Sequence, residues 1–391
     1  MKKFFFVLFH LFIIFYCNAK NEPNKLKIVI FTSKGGNGHM SACSVLKECL
    51  PNCEIKLINP IYDFFHNIFD GEKWYSNLVK YNYINLTNFI VRHPGKAFFK
   101  LRYKTFEKRF ERFLAQEKPD LLISVIPFLN YPSYIAAKKC NIPFMIITLD
   151  ADLTNWLINM EKCKDHDFTI TVQTKTPLIK KQLLYKKIPM KCVHEVGPPL
   201  RKDFFTYKNP SLIKKEWDIP ENKDIIMLIR GGTGSKKLFD YARTIIKTNN
   251  NLHLLVCVGK NHKLAQKLNR LKKNNVTLSV IQFTNKIADL MSISDLLITQ
   301  PSPNVCNEAL YFKLPILIDM TSTCLFWERA TVDWIKIYGN GQIFKHMKQI
   351  NQFIPELIKK KKSFQIQKTP HCFNNEIKNI IKKQLELAQK K

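Results

Sequence analysis

The chain has 391 residues, room for two domains of ordinary size, and 46% of them are hydrophobic, which excludes a disordered protein. Its formal net charge of +31 points to an anionic partner or to a solvated Lys-rich face. No Arg-rich tail, zinc-finger spacing or RNP-like aromatic motif selects nucleic acid, so the partner expected is an anionic membrane surface.

The first segment, "MKKFFFVLFHLFIIFYCNAK", has a basic start, an apolar run from Phe4 to Tyr16 and small residues ending at Ala19. That is the layout of a secretory signal or a short membrane anchor. At about 1.5 Å per residue the run is too short to cross about 30 Å of hydrocarbon comfortably. A cleaved signal, an uncleaved anchor and an interfacial helix all remain open.

From Lys25, "KLKIVIFT", "EIKLIN", "DLLISVIP", "PFMIITL" and "FTITVQ" predict five strands, each apolar nearly throughout, as parallel strands covered on both faces must be. Helical patterns lie between them. One of these, "RYKTFEKRFERFLAQ" over Arg102–Gln116, is aromatic and basic enough to enter a membrane interface, though the pattern also suits an ordinary surface helix. "VGPPLRKDFF", Val196–Phe205, carries two adjacent prolines that cannot continue a helix or a central strand, and reads as a domain crossing. A second series follows: "DIIMLIRGGTGS", "LHLLVCVGKN", "VTLSVIQF", "DLLITQP" and "LPILID", with helical patterns such as Ser235–Lys247 between. The stretch from Gln349 is Lys-rich and helical in pattern, and is expected to pack back across the surface. The organisation expected is a leader over 1–20, α/β domains over 25–199 and 200–350, and a basic helical tail over 351–391. Two doubly wound domains joined by a Pro hinge leave a cleft at the carboxyl ends of their strands.

The eleven cysteines are scattered and contain no C-x-x-C pair, which speaks against zinc and dithiol redox chemistry. Several, such as Cys257, sit in apolar runs as free core thiols do in a reducing compartment.

Each half opens with a strand, a glycine-rich turn and a helix. The turns are "SKGGNGH", with Gly35, Gly36, Asn37 and Gly38 ahead of His39, and "RGGTGS", with Gly231, Gly232, Thr233, Gly234 and Ser235. Glycine lets a ligand approach the backbone, and the free N–H groups and dipole of the next helix favour an anion such as a diphosphate. No G-K-[ST] follows either turn, and neither is G-x-G-x-x-G, which disfavours a Walker loop and NAD. His39 is placed at the carboxyl edge of the first strand, where a neutral imidazole could accept a proton near pH 7.

In this order, "GGNGHMSA", "GPPLRKDFF", "RGGTGS", "QFTNKIADLMSISDLLITQPSPNVCNEALYFKLPILID" and "WERATVDWIKIYGNG" resemble the monogalactosyldiacylglycerol synthase and processive diacylglycerol glucosyltransferase family, glycosyltransferase family 28. The resemblance covers nearly the whole chain after Lys25. It implies a GT-B fold, two Rossmann-like domains facing across a cleft, with a UDP-sugar on the second and a lipid acceptor near the first. It implies an inverting, metal-independent hexosyl transfer with no cofactor, the UDP-sugar being a substrate. His39 matches the family's base, with Asp152 orienting the site or sharing that role. Gly231 to Ser235 match the turn that meets the diphosphate, and Phe283 the loop that meets the nucleobase. Glu308 matches the acidic residue that holds the ribose hydroxyls, and Glu328 a polar residue near the donor sugar.

This chain departs from the family's K-A-G-P-G-T before that glutamate. It reads Gln300 to Val305, "QPSPNV", keeping Pro303 and placing Ser302 and Asn304 where glycines are usual. Ala330, Thr331 and Val332 replace a later G-N-V, and "TLDADLTNWL" keeps Asp152 and Trp156 without the histidine expected between them. A degenerate GT-B module that binds nucleotide or lipid without turnover, and a UDP-sugar epimerase on the same scaffold, therefore stand as alternatives. Nucleotide sugars and unpaired cysteines suit the cytosol, whereas the leader looks export-directed. The expectation is membrane association with the catalytic part in the cytosol.

Overall fold

The computed structural model describes residues 25–33, 37–65, 71–81, 83–231, 234–248, 251–271, 275–337, 341–363 and 373–389. The leader expected over residues 1–20 therefore lies outside the described residues. Two parallel six-stranded sheets follow one another along the chain. The first holds β1 (Lys27–Phe31), β2 (Glu54–Ile58), β3 (Leu121–Ser124), β4 (Phe144–Ile147), β5 (Thr169–Val172) and β6 (Val193–Glu195), in the order β2-β1-β3-β4-β5-β6. The second holds β7 (Asp224–Ile229), β8 (Leu252–Gly259), β9 (Thr277–Gln282), β10 (Leu296–Thr299), β11 (Ile316–Asp319) and β12 (Gly341–Phe344), in the order β9-β8-β7-β10-β11-β12. In each sheet the winding reverses beside the first strand, between β1 and β3 and between β7 and β10.

Burial follows from that order. β3, β4, β10 and β11 lie inside their sheets and are buried at every residue, while the edge strand β2 alternates between exposed and covered side chains. All ten expected strands are present. β6 and β12 are additional: short edge strands, "VHE" and "GQIF", that need little apolar sequence because one side faces solvent.

The aromatic helix Tyr103–Glu117 places Phe106, Phe110 and Leu114, spaced four apart, in the first core. Phe110 packs on Phe31 of β1 with ring centroids 5.0 Å apart. Its aromatic face is therefore covered by the sheet, which argues for the ordinary surface helix over the interfacial one. At the C-terminus the helix Gln349–Ser363 buries Ile350, Ile354 and Leu357 against the second sheet. The last helix, Phe373–Gln389, crosses back and inserts Phe373, Ile377 and Ile381 into the first core. Thr169 Oγ1 donates to Gln384 Oε1 at 2.8 Å, and Asn374 Nδ2 to the Leu200 carbonyl at 3.1 Å. The tail thus has a fixed berth in the first core, set by an apolar spacing that its lysines obscure.

Two doubly wound sheets with their carboxyl edges turned to a shared cleft make this a GT-B fold. The nine described cysteines are all unpaired, six of them buried. No helix among the described residues is long and apolar enough to cross a membrane.

Candidate functional site

The first side of the cleft is built where β1 and β3 diverge. The helix Asn37–Cys49 is the next element after β1, and His39 falls in its first turn. Its Nδ1 lies 2.7 Å from the carbonyl oxygen of Val125, just beyond β3. A carbonyl can only accept, so Nδ1 carries the hydrogen and Nε2 keeps its lone pair. Burial lowers the His39 pKa below the usual imidazole range, against the Val125 bond and the charge of Glu72, which raise it. Glu72, in the helix Gly71–Lys80, accepts from Ser33 Oγ at 2.5 Å and Asn59 Nδ2 at 2.9 Å, tying together the ends of β1 and β2.

The two sides touch at one helix start. A Cβ on Gly38 would lie 2.1 Å from Nδ2 of Asn304, so glycine is required there as long as Asn304 keeps its place. Asn304 is the second residue of the helix Pro303–Tyr311, which follows β10 and opens with Pro303, where a missing N–H costs nothing. The opening of the His39 helix and that of the Glu308 helix therefore meet across the cleft. Asn307 Nδ2 also donates to Gln173 Oε1 on the first side at 3.1 Å.

The second side of the cleft starts at the end of β7. Gly231 and Gly234 both have left-handed backbone, φ 68° and 65°. Gly231 faces open space, whereas a Cβ on Gly234 would lie 2.2 Å from the Val258 carbonyl. Asn261 Nδ2 donates to the Gly234 carbonyl at 3.2 Å, and Ser235 Oγ accepts from the Lys237 N–H at 3.3 Å as the helix Lys237–Thr248 begins. Gly35, Gly36, Gly232 and Thr233 lie outside the described residues; of Asn37 the structure describes the backbone, which opens its helix.

Around this turn stands a charge cluster the sequence reading missed. Asp319, at the end of β11 with its side chain wholly buried, accepts from Arg230 at 2.5 Å, Lys237 at 3.0 Å and the Tyr241 hydroxyl. Lys237 Nζ also reaches Thr321 Oγ1 at 2.6 Å and Ser322 Oγ at 2.8 Å. Burial alone would raise the Asp319 carboxyl. Hydrogen bonds from Thr321 and Tyr241 and the Arg230 charge outweigh it and hold the group below the usual carboxylate range. The available signal was a charged residue at the carboxyl end of a buried strand.

Glu308 lies half-buried in the Pro303–Tyr311 helix. Burial pushes its carboxyl up to about 7, opposed by Arg201 and reinforced by Asp203, both in the crossing segment. Phe283, just past β9, is exposed, with the Lys260 ammonium 5.4 Å from its ring centre. Glu328 begins the helix Phe326–Ile337, and burial followed by the charge of Asp150 pushes it to about 8, with Arg230 opposing.

Asp150 is the carboxylate that the first side turns toward Glu328. It accepts from Trp156 Nε1 at 2.8 Å, and burial raises it to about 7 despite that bond. Burial and the charges of Glu328 and Asp150 likewise raise the Tyr75 hydroxyl. Asp152 is engaged elsewhere: its Oδ1 accepts from the Thr154 N–H at 2.7 Å and from Gln182 Nε2 at 2.8 Å. Asp150, Tyr75 and Glu328 thus form a cross-cleft group that includes only one of the residues expected from sequence. Asn88, in the helix Ile84–Ile90, joins the sides. Asn88 Nδ2 donates to the Cys324 carbonyl and its Oδ1 accepts from the Phe326 N–H, both at 3.0 Å. Among the described residues no group of three or more His, Cys, Asp or Glu side chains is gathered as a metal site would need.

Comparison with known proteins places this geometry. A family profile described as lipid-A-disaccharide synthetase (LpxB) matches residues 180–390. The processive diacylglycerol beta-glucosyltransferase of Bacillus cereus (strain B4264) is 24% identical over 309 residues, covering 75% of this chain and 76% of that protein. The Bacillus cytotoxicus protein of the same name is 24% identical over 312 residues with the same coverage. Among solved structures, Acinetobacter baumannii MurG superposes with a TM-score of 0.61 at 13% identity, covering 94% of this chain and all of that one. The UDP-GlcNAc 2-epimerase of Neisseria meningitidis, bound to UDP-GlcNAc, gives 0.55 at 15% identity, covering 92% and 99%. These structural likenesses establish the fold, and the diacylglycerol glucosyltransferases match the resemblance read from the motifs.

Proposed function

The chain belongs to the lipid-A-disaccharide synthetase family, and on that premise we propose that it moves a hexose from a UDP-sugar to the hydroxyl of a lipid acceptor such as diacylglycerol, with inversion and without a metal or cofactor. The observation that carries this reading is the pairing of His39 with the Val125 carbonyl beside the start of the Pro303–Tyr311 helix. It leaves a basic Nε2 on one side of the cleft and an anion-holding turn on the other.

In the proposed reaction, His39 Nε2 takes the proton of the acceptor hydroxyl as its oxygen bonds to the anomeric carbon. The bond from that carbon to the diphosphate breaks, and UDP leaves with the electron pair. The helix beginning after Ser235 and the Arg230–Lys237 cation pair offset the charge that develops on it. Glu308, once ionised, accepts from the ribose hydroxyls, and the exposed Phe283 borders the nucleobase. Glu328 and Asp150 face the transferred sugar, where a group that titrates near neutrality can accept or donate to its hydroxyls. The relatives' names and the UDP-GlcNAc complex of a structural neighbour support donor and acceptor class.

The acceptor reading also draws on the outer surface of the first domain. Tyr81, Tyr83, Leu86, Phe89, Phe98 and Leu101 are exposed there, with the exposed Arg102 among them. Such a face suits peripheral attachment to an anionic bilayer, each Lys or Arg near it contributing about 1 kcal/mol.

One observation favours a second reading, binding without turnover: Asn304 stands where the family has glycine, and its amide fills the space beside Gly38. Incubation with radiolabelled UDP-hexose and diacylglycerol vesicles separates the two. Label in the lipid phase, lost in His39→Ala, is expected. UDP raising the melting temperature with no product in any acceptor screen would establish the binding module instead.

A further inference from the structure

Outside the cleft, the first domain contains a cavity of about 470 Å³ that the transfer reading leaves unused. The helix Lys96–Leu101, the segment 153–161 and the end of the helix Pro177–Tyr185 build its wall. Lys96, Lys100, Lys186 and Lys187 all line it. Lys186 is paired with Glu161 at 2.8 Å. The ammonium groups of Lys96 and Lys100 have no hydrogen-bond or ion-pair partner among the described residues. Burial, then the like charges of Lys186 and Lys100, lower the pKa of Lys96, and Glu161 and Asp152 offset this only in part.

The arrangement is held in place. Asn159, buried and with left-handed backbone at φ 63°, donates its Nδ2 to the Lys100 carbonyl at 3.0 Å, fixing the helix that carries Lys96 and Lys100. Gln182, which also lines the cavity, donates its Nε2 to Oγ1 of Thr154, another lining residue, at 3.1 Å. Glu161, the carboxylate in the lining, is already paired with Lys186, so the crowded ammonium charges cost free energy that a bound anion relieves. Two large apolar side chains stand exposed beside these lysines: Leu101 is 76% exposed, and Tyr185 on the cavity rim 81%.

We propose that this cavity binds the phosphate group of a glycerophosphate-type ligand, with Lys96 and Lys100 as its principal cations. Phosphate presents several anionic oxygens to two separate ammonium donors, which a carboxylate matches less well. The exposed Leu101 and Tyr185 favour a phospholipid headgroup at the bilayer surface, and a soluble glycerol phosphate ester carries the same chemistry. None of the cleft residues takes part, so the proposal stands or falls separately from the transfer reaction.

The test compares the full chain with the Lys96→Gln/Lys100→Gln variant and with Lys247→Gln/Lys263→Gln, which removes the same charge from exposed positions of the second domain. Calorimetry with glycerol phosphate and co-sedimentation with phosphatidylcholine vesicles, with and without phosphatidylglycerol, are the two readouts. In the first variant binding should weaken roughly thirtyfold, the effect of two cations at an anionic surface, and the control should keep it. Loss confined to the vesicles assigns the site to a lipid headgroup, and loss confined to glycerol phosphate assigns it to a soluble ester. Equal losses in both variants, or no phosphate-dependent binding by the wild type in either readout, overturn the proposal. Should the double variant fold poorly, Lys100→Gln alone, at an exposed position, carries the same comparison.

Discussion

Replacing Asp319 by Asn tests whether the Arg230–Asp319–Lys237 cluster is a structural keystone of the second side of the cleft. The Asp319 side chain is fully buried, while Arg230 and Lys237 keep 14% and 24% exposure. Removing the carboxylate charge leaves two cations facing each other with only a neutral amide between them. Breaking a buried pair costs about 3–5 kcal/mol, and the residual solvent access of both cations puts this case at about 3 kcal/mol. For a unit of 150–250 residues that corresponds to a fall of about 6–12 °C in the melting temperature of the second domain, measurable by calorimetry. The pH dependence supplies the control. Because the Asp319 carboxyl is held below its unfolded value, its stabilisation is present above that value and disappears as pH falls through the folded one. Wild type and variant should therefore differ at neutral pH and converge in strong acid. A variant that melts with the wild type at pH 7 would refute the reasoning, and so would a difference that persists undiminished in acid.

Three other outcomes are expected. With His39 lowered by burial, the acid limb of kcat/KM for the transfer should fall below pH 6.5, and His39→Ala should lose about 10²–10⁴ in kcat while melting normally; a limb above 6.5 contradicts the assignment. Folding raises the Glu308 carboxyl, so its burial costs nothing below its ordinary value of 4.5, increasingly more between there and about 7, and a constant amount above. Glu308→Gln should accordingly melt above wild type at pH 8 and with it at pH 4, yet bind UDP roughly tenfold or more weakly by calorimetry, having lost charged hydrogen bonds. Gly38→Ala displaces the Asn304 amide, the mobile end of a side chain, so it should leave the melting temperature nearly unchanged while reducing turnover. Asn304→Gly in the same chain should restore part of the loss, and strict additivity of the two changes would remove the contact from the argument.

What was legible in the sequence, and what was not, divides along the range of the interactions. Central parallel strands must be apolar on both faces, so the eight of them announce themselves; of the four edge strands β2 and β9 still carry readable runs, while the shorter β6 and β12 leave none. The glycine turns are legible because backbone at positive φ restricts the choice at Gly231 and Gly234. The last helix was legible as a helix but not as part of the first core, since three apolar residues four apart are hidden among its lysines.

The carboxylates of "TLDADLTNWL" show where local reading stops. Asp150 and Asp152 are two positions apart after the same strand, and nothing nearby says which one addresses the cleft. Part of what decides it comes from outside the motif: Gln182, from the helix Pro177–Tyr185, engages Asp152, leaving Asp150 with Trp156 and the charge of Glu328 from the other domain. Gly38 poses the same problem in steric form, because its need for glycine is set by Asn304, far along the chain. Strand ends can therefore be read one at a time, but a cleft between two sheets is specified by pairs, and each member of a pair looks ordinary alone. Charged residues at the carboxyl ends of buried parallel strands are the nearest local signal: Arg230 and Asp319 both carry it, and both lie beside the second glycine turn.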